Sequence, residues 1–167
     1  MISLYIENDS MKQAKQALQK AESKIIKENP KGLFLFLEVK KALFHFASRH
    51  KKETAEAINK VENLLTHFPY LREKGIFLII KGLWLLNCGK RKEAEDAFDQ
   101  GIHILKQSRF IPHLLYGLHL LHTFLHKRFE SEAALRTKYN RMWSQIGHQY
   151  HFEELEKETC GQLMPLL

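Results

Sequence analysis

The segment "HLLYGLHLLHTFLH", residues 113–126, holds four histidines, His113, His119, His122 and His126. The last three recur in steps of three and four, which places their imidazoles on one face of an α-helix. Imidazoles so arranged can share a zinc ion. Their surroundings point elsewhere: no glutamate stands between them in the metalloprotease pattern, no cysteine pair lies nearby, and the intervening residues are apolar packing types. The expectation is histidines that line a groove or are satisfied within the fold, with no metal and no cofactor. Facing one groove, they would modulate its binding by a change of charge between pH 5 and 8.

A second constellation is basic. Arg49, Lys51 and Lys52, then Lys90, Arg91 and Lys92, then Lys127 and Arg128 fall at three separated points of the chain. Stacked along one edge they would form a positive ridge able to hold an acidic protein or a nucleic-acid backbone. The plainer account is that cations suit helix C-termini and keep turns soluble. No glycine-rich phosphate loop, nucleophile elbow or acid/base dyad at a recognisable spacing occurs, so a non-catalytic chain is expected.

The chain has 167 residues, a formal charge of +7, 44% hydrophobic and 27% charged residues. That is the size and composition of one globular unit or a short repeat array, neither disordered nor membrane-resident. The longest apolar stretch, Gly75 to Leu86, contains Lys81 and is too short to span a bilayer. The start "MISLYIENDSMK" carries no secretory signal pattern. Cys88 and Cys160 have neither metal nor redox spacing, which fits a reduced, cytoplasmic setting.

The elements that position these groups emerge from a repeat. Ala94, Ala97, Phe98, Gly101 and Leu105 form a small or apolar stripe at helical spacing. Forty residues earlier stand Thr54, Ala57, Ile58, Val61 and Leu65, and forty before those Ala14, Ala17, Leu18, Ala21 and Ile25. A shift of forty-one gives a looser match at Leu135, Lys138, Tyr139, Met142 and Ile146, as expected of a capping repeat. "KGLFLFL" at 31–37 and "KGIFLII" at 74–80 match at a shift of 43, which implies that the earlier helix is about one turn longer. Gly89 reads as a helix stop, Ser10 with Gln13 as a capping box, and Pro30, Pro69 and Pro112 as punctuation between units.

These patterns predict an all-α fold of seven helices, at 9–28, 31–48, 51–68, 70–88, 91–108, 111–127 and 130–148. Residues 1–150 then form one repeat domain, and 151–167, with "HFEELEKET", a short acidic helix and a frayed tail. "MISLYI" is expected to be an irregular arm, or a cut edge if the chain is a fragment.

Gly82, the turn glycine Gly89, and Ala94, Phe98 and Gly101 resemble a tetratricopeptide-type repeat at the family's relative spacing. The period is nearer forty than the family's thirty-four, and Leu78 stands where an aromatic is usual. Longer repeats of this kind resemble those of bacterial regulatory proteins, including peptide-sensing and Rap-like regulators. The resemblance implies a right-handed α-α superhelix whose first helices line a concave groove for a peptide or partner protein. Carried over by repeat shift, the groove would be formed by Ile76, Ile79, Leu83 and Asn87, by Leu33, Phe36, Lys40 and Phe44, and by Tyr116, His119, Thr123 and His126. The alternatives are a homodimer seam or plain core. A peptide- or protein-binding adaptor or sensor is the favoured function, and a nucleic-acid-associated protein using the basic turns is the alternative.

Overall fold

Helix ends in this chain are set by one main-chain device repeated every forty residues. Asp9, Arg49 and Gly89 take left-handed backbone, with φ of 55°, 61° and 77°. The next amide in each case reaches back five residues: Ser10 to the Tyr5 carbonyl at 2.7 Å, His50 to His45 at 3.1 Å, and Lys90 to Leu85 at 3.0 Å. This pairing closes a helix by satisfying carbonyls that its last turn leaves open.

The structure, a computed structural model, describes residues 2–28, 31–68, 70–109 and 111–149. The described residues form an all-α chain of eight helices: α1 (Ile2–Glu7), α2 (Met11–Glu28), α3 (Lys31–Ala47), α4 (Lys51–His67), α5 (Leu71–Asn87), α6 (Arg91–Gln107), α7 (Ile111–Arg128) and α8 (Ala133–Gln149). The seven expected helices are present to within three residues at each end. The eighth, α1, lies in the segment read from the sequence as an irregular arm. It is the continuation of the repeat, for its end at Glu7 precedes the end of α3 at Ala47 by forty residues, and that of α5 at Asn87 by eighty. Pro112 sits in the first turn of α7, where a missing N–H leaves no bond unmade. Pro30, Pro69 and the acidic segment expected beyond residue 150 lie outside the described residues. The Ser10 hydroxyl donates to the Asn8 carbonyl at 3.4 Å.

Four hairpins result, α1–α2, α3–α4, α5–α6 and α7–α8, and successive first helices (α1, α3, α5, α7) pack on one another as an inner layer. The repeated stripe of the second helices faces that layer: Ala14, Leu18, Thr54, Ala57, Ile58, Val61, Ala94, Ala97, Phe98, Gly101, Leu105, Leu135, Tyr139 and Ile146 are all buried. Small residues there permit close approach. A Cβ on Gly82 would stand 2.5 Å from the Phe98 ring, and one on Gly101 would stand 2.7 Å from the Gly75 carbonyl oxygen. Lys138, at a position where other units carry alanine, instead reaches across to Glu95 at 2.8 Å and Asp99 at 2.7 Å, while the Tyr139 hydroxyl donates to Asp99 at 3.0 Å. These bonds strap α8 to α6.

Neighbouring hairpins share an ion pair that also keeps the period. Lys41 of α3 meets Glu22 of α2 at 2.5 Å, and forty residues on Lys81 of α5 meets Glu62 of α4. At the third position Leu121 and Ile102 are both buried apolar residues.

The common end points of α3 and α5 correct the repeat register. These helices are related by 40 residues, not 43, and both have 17. The motif match between "KGLFLFL" and "KGIFLII" therefore pairs residues three apart on the helix, close to one turn. Ile76 is equivalent to Phe36, Ile79 to Val39 and Leu83 to Leu43.

Candidate functional site

The inner layer is where the sequence places a groove, and its first helices carry the polar groups that meet there. At the ends marked by the repeated turns, side chains of α7 reach α3 and α1. Phe124 packs edge-on against Phe46 of α3, with ring centroids 5.2 Å apart. Arg128 donates to the Phe46 carbonyl at 2.8 Å and to the Ala47 carbonyl, and its guanidinium lies over both phenylalanine rings. Partial burial lowers the Arg128 pKa, the neighbouring Arg49 adding to the effect. Lys127 donates to the Glu7 carbonyl at 2.7 Å and to Asp9 at 3.2 Å.

Further along the layer, α1 is held by three groups that the sequence assigned to the groove. Lys40 Nζ donates to Ser3 Oγ at 2.7 Å and lies 3.2 Å from the Tyr116 hydroxyl, which itself donates to Ser3 Oγ at 2.8 Å. His119 Nε2 meets Glu7 Oε2 at 3.0 Å, while Glu7 Oε1 is buried with no hydrogen-bond partner. Thr123 Oγ1 lies 3.5 Å from His119 Nε2.

An open groove along the whole inner face is therefore not what forms. Ile79 and Leu83 are fully buried, Phe44, Lys40 and Tyr116 nearly so, and all are core. Asn87 and His126 are exposed instead, and His119 and Thr123 are half-buried. Aromatic side chains of α3 and α7 meet, and α1 is bonded to both through Ser3 and Glu7. His122 and His126 turn toward α8: His122 Nδ1 is 2.9 Å from Asn140 Oδ1, and Asn140 Nδ2 is 3.2 Å from His126 Nε2. The three histidines of the helical face thus divide between two neighbours. Among the described residues, no three His, Cys, Asp or Glu side chains are grouped to hold a metal ion.

The basic ridge is also redistributed. Arg49, Lys51, Lys52 and Lys92 are exposed along the turns. Lys90 pairs with Glu93 at 3.2 Å and Arg91 with Glu132 at 3.3 Å. Lys127, itself exposed, and the half-buried Arg128 are tied to the ends of α1 and α3, so the third cluster is engaged within the fold where the first two stand along the turns.

The other end of the inner layer, where α3, α5 and α7 begin, is open. Phe36, Val39 and Lys40 from α3, Arg72, Glu73 and Ile76 from α5, and His113 and Tyr116 from α7 line a narrow crevice with about 20 Å³ of space for water. The large hydrophobic side chains that are exposed among the described residues stand beside it in sequence: Leu33 at 51%, Tyr70 at 45% and Leu71 at 52%. Arg72 donates to the buried Glu73 carboxylate from Nε at 2.8 Å and from its second terminal nitrogen at 2.5 Å.

Burial governs the titration of these groups. It lowers Lys40 to about 7 against the pull of Glu7. Burial and the Arg72 charge lower His113 to about 4. Tyr116 is raised by burial, so its phenol keeps its proton as a donor. At neutral pH the foot of the cleft thus offers an amine near its own titration point and a protonated hydroxyl, with Arg72 and Glu73 paired to each other.

Sequence reasoning missed Ser3, Glu7, Arg72 and Glu73. Extending the period one further step back was the signal available for the first two. No family model, curated protein or solved structure matches the chain. Among the described residues no helix is long and apolar enough to cross a membrane.

Proposed function

We propose that the chain is a non-catalytic protein- or peptide-binding module of the tetratricopeptide-repeat kind, an adaptor or sensor part acting in the cytoplasm. The observation that carries this reading is the exposure of Leu33, Tyr70 and Leu71 at the starts of α3 and α5, close in sequence to residues that line the cleft. Apolar residues gathered at one exposed rim mark a place where another apolar surface is buried. The inner face already shows how it treats a helix, since Lys40, Tyr116 and His119 grip α1 through its Ser3 and Glu7 side chains. A peptide or partner helix laid across the first turns of α3, α5 and α7 would bury the same aliphatic rim, with Phe36 and Ile76 beneath it.

The second reading, a nucleic-acid backbone on the turns, rests on the exposed Arg49, Lys51, Lys52 and Lys92. One experiment separates the two. Partner capture from native lysate by the unmodified chain is compared with Leu33→Glu, Leu71→Glu and an Arg49→Glu/Lys51→Glu double variant, each recovered at low and moderate salt. The rim reading expects partners to be lost by the first two variants only and to persist as salt rises. A phosphate backbone held by four cations would weaken about a hundredfold between roughly 50 and 200 mM salt. Equal capture by all four proteins would remove the rim from consideration.

A further inference from the structure

His122 and His126 stand one turn apart on α7 with ring centroids 4.5 Å from each other, and both are exposed. Asn140 of α8 reaches both of them. His122 Nδ1 lies 2.9 Å from its Oδ1 and His126 Nε2 lies 3.2 Å from its Nδ2, so one nitrogen of each ring converges on a single small amide. The third histidine of that face does not join them, because His119 is held by Glu7 of α1. The neighbouring cations are engaged elsewhere: Lys127 is tied to Glu7 and Asp9, and Arg128 to the end of α3.

We propose that His122 and His126 chelate a late first-row divalent cation, of the nickel, copper(II) and zinc class, with the Asn140 side-chain oxygen as a third donor. Two histidines one helical turn apart are the arrangement in which a pair of imidazoles shares one ion. The donors select the class. Imidazole nitrogen suits zinc, copper and nickel, whereas magnesium and calcium require oxygen ligands, and neither α7 nor α8 contains an aspartate or glutamate. Two imidazoles and an amide fall short of the four protein ligands of a closed structural cage, so the site is an open one, with water in the remaining positions. It needs no cavity, since both rings stand at the surface.

The hydrogen bonds already define the atoms involved. The Asn140 amide oxygen accepts from His122 Nδ1, while the amide N–H donates to His126 Nε2, which therefore presents a lone pair. Chelation moves the His122 proton to its other ring nitrogen, freeing the Nδ1 lone pair, and turns the amide so that its oxygen faces the ion. No electron is transferred and no covalent bond within the chain changes. The ion then joins α7 to α8 in place of the two hydrogen bonds.

The test is calorimetric titration of the folded chain with nickel chloride at pH 7. His122→Ala and His126→Ala should each weaken the tightest binding by about tenfold or more, whereas His103→Ala, an exposed histidine of α6, should leave it unchanged. Asn140→Asp places a carboxylate at the third position and should tighten binding several-fold. Magnesium chloride should give no binding. A second measurement needs no variant: on the unmodified chain, nickel should shield His122 and His126 from diethylpyrocarbonate more than it shields His103, read by peptide mapping. Nickel bound as tightly by both alanine variants as by the unmodified chain would overturn the proposal, as would equal shielding of all three histidines. The pair lies in the last two turns of α7, and the apolar rim at the starts of α3 and α5, so failure here leaves the partner-binding reading standing, and the reverse also holds.

Discussion

Arg128 and Phe46, 82 residues apart in sequence, are joined by a guanidinium-to-carbonyl bond of 2.8 Å with the same guanidinium lying over the phenylalanine ring. The contact ties the last inner helix to the second and closes the inner face. Replacing Arg128 by methionine removes two charge-assisted bonds to the end of α3 and should cost about 2–3 kcal/mol. Lysine cannot form the planar fork and should recover less than half of that. Urea denaturation of the three proteins at pH 7 measures both; equal midpoints for Arg128 and its methionine variant would show the contact to be energetically idle.

Lys40 makes stability depend on pH with a definite sign. Its pKa falls from 10.5 to about 7 on folding, so between these values the unfolded chain binds more protons. Stability must then rise with pH across that window, and the full penalty, ~5 kcal/mol, applies below about pH 7. Lys40→Met leaves the Tyr116–Ser3 bond in place and abolishes the penalty. The gain relative to the unmodified chain should be largest at pH 6 and shrink toward pH 10. Denaturation curves at pH 6, 8 and 10 that run parallel for the two proteins would contradict this.

Two glycines separate conformational from steric cost. Gly89 has φ of 77° and a Cβ there would meet nothing within 4 Å. Gly89→Ala should therefore cost only the left-handed backbone penalty, about 1 kcal/mol. Gly101→Ala meets the Gly75 carbonyl oxygen at 2.7 Å, a main-chain atom that cannot rotate away. It should cost about 2–3 kcal/mol by forcing α5 and α6 apart. Thermal melts that rank the two in the opposite order would refute the close-packing account.

The paired bridges Lys41–Glu22 and Lys81–Glu62 occupy equivalent, partly exposed positions. Double-mutant cycles to alanine should give similar coupling energies at the two sites, about 0.5–1 kcal/mol, and both should fall as salt rises. A bridge worth several kcal/mol at one site and nothing at the other would mean that the hairpins do not stack equivalently.

Much of the architecture was readable in advance because a period of forty is written in the stripe from Ala14 to Leu105, with Gly89 as a helix stop; the matching turns at Asp9 and Arg49 show only in the backbone. Small and apolar residues at helical spacing leave few ways to be buried, so the hairpins followed. The site was less legible. The resemblance of residues 31–37 to residues 74–80 drew the register three residues off, because a helix face tolerates near-equal substitutions one turn apart. Curvature was hidden altogether: whether α7 reaches α3 depends on small angles at each hairpin, which no single residue type encodes. Arg128 and Lys127 looked like ordinary cations at a turn, and only their distance to the ends of α1 and α3 shows what they do.

Arrays joined solely through adjacent members behave like a chain of dominoes that can melt from either tip. The bonds of α7 to α1 and α3 bridge members of this one that are not neighbours in sequence, so hydrogen exchange is expected to show the amides of α1 opening together with those of α7 instead of fraying on their own.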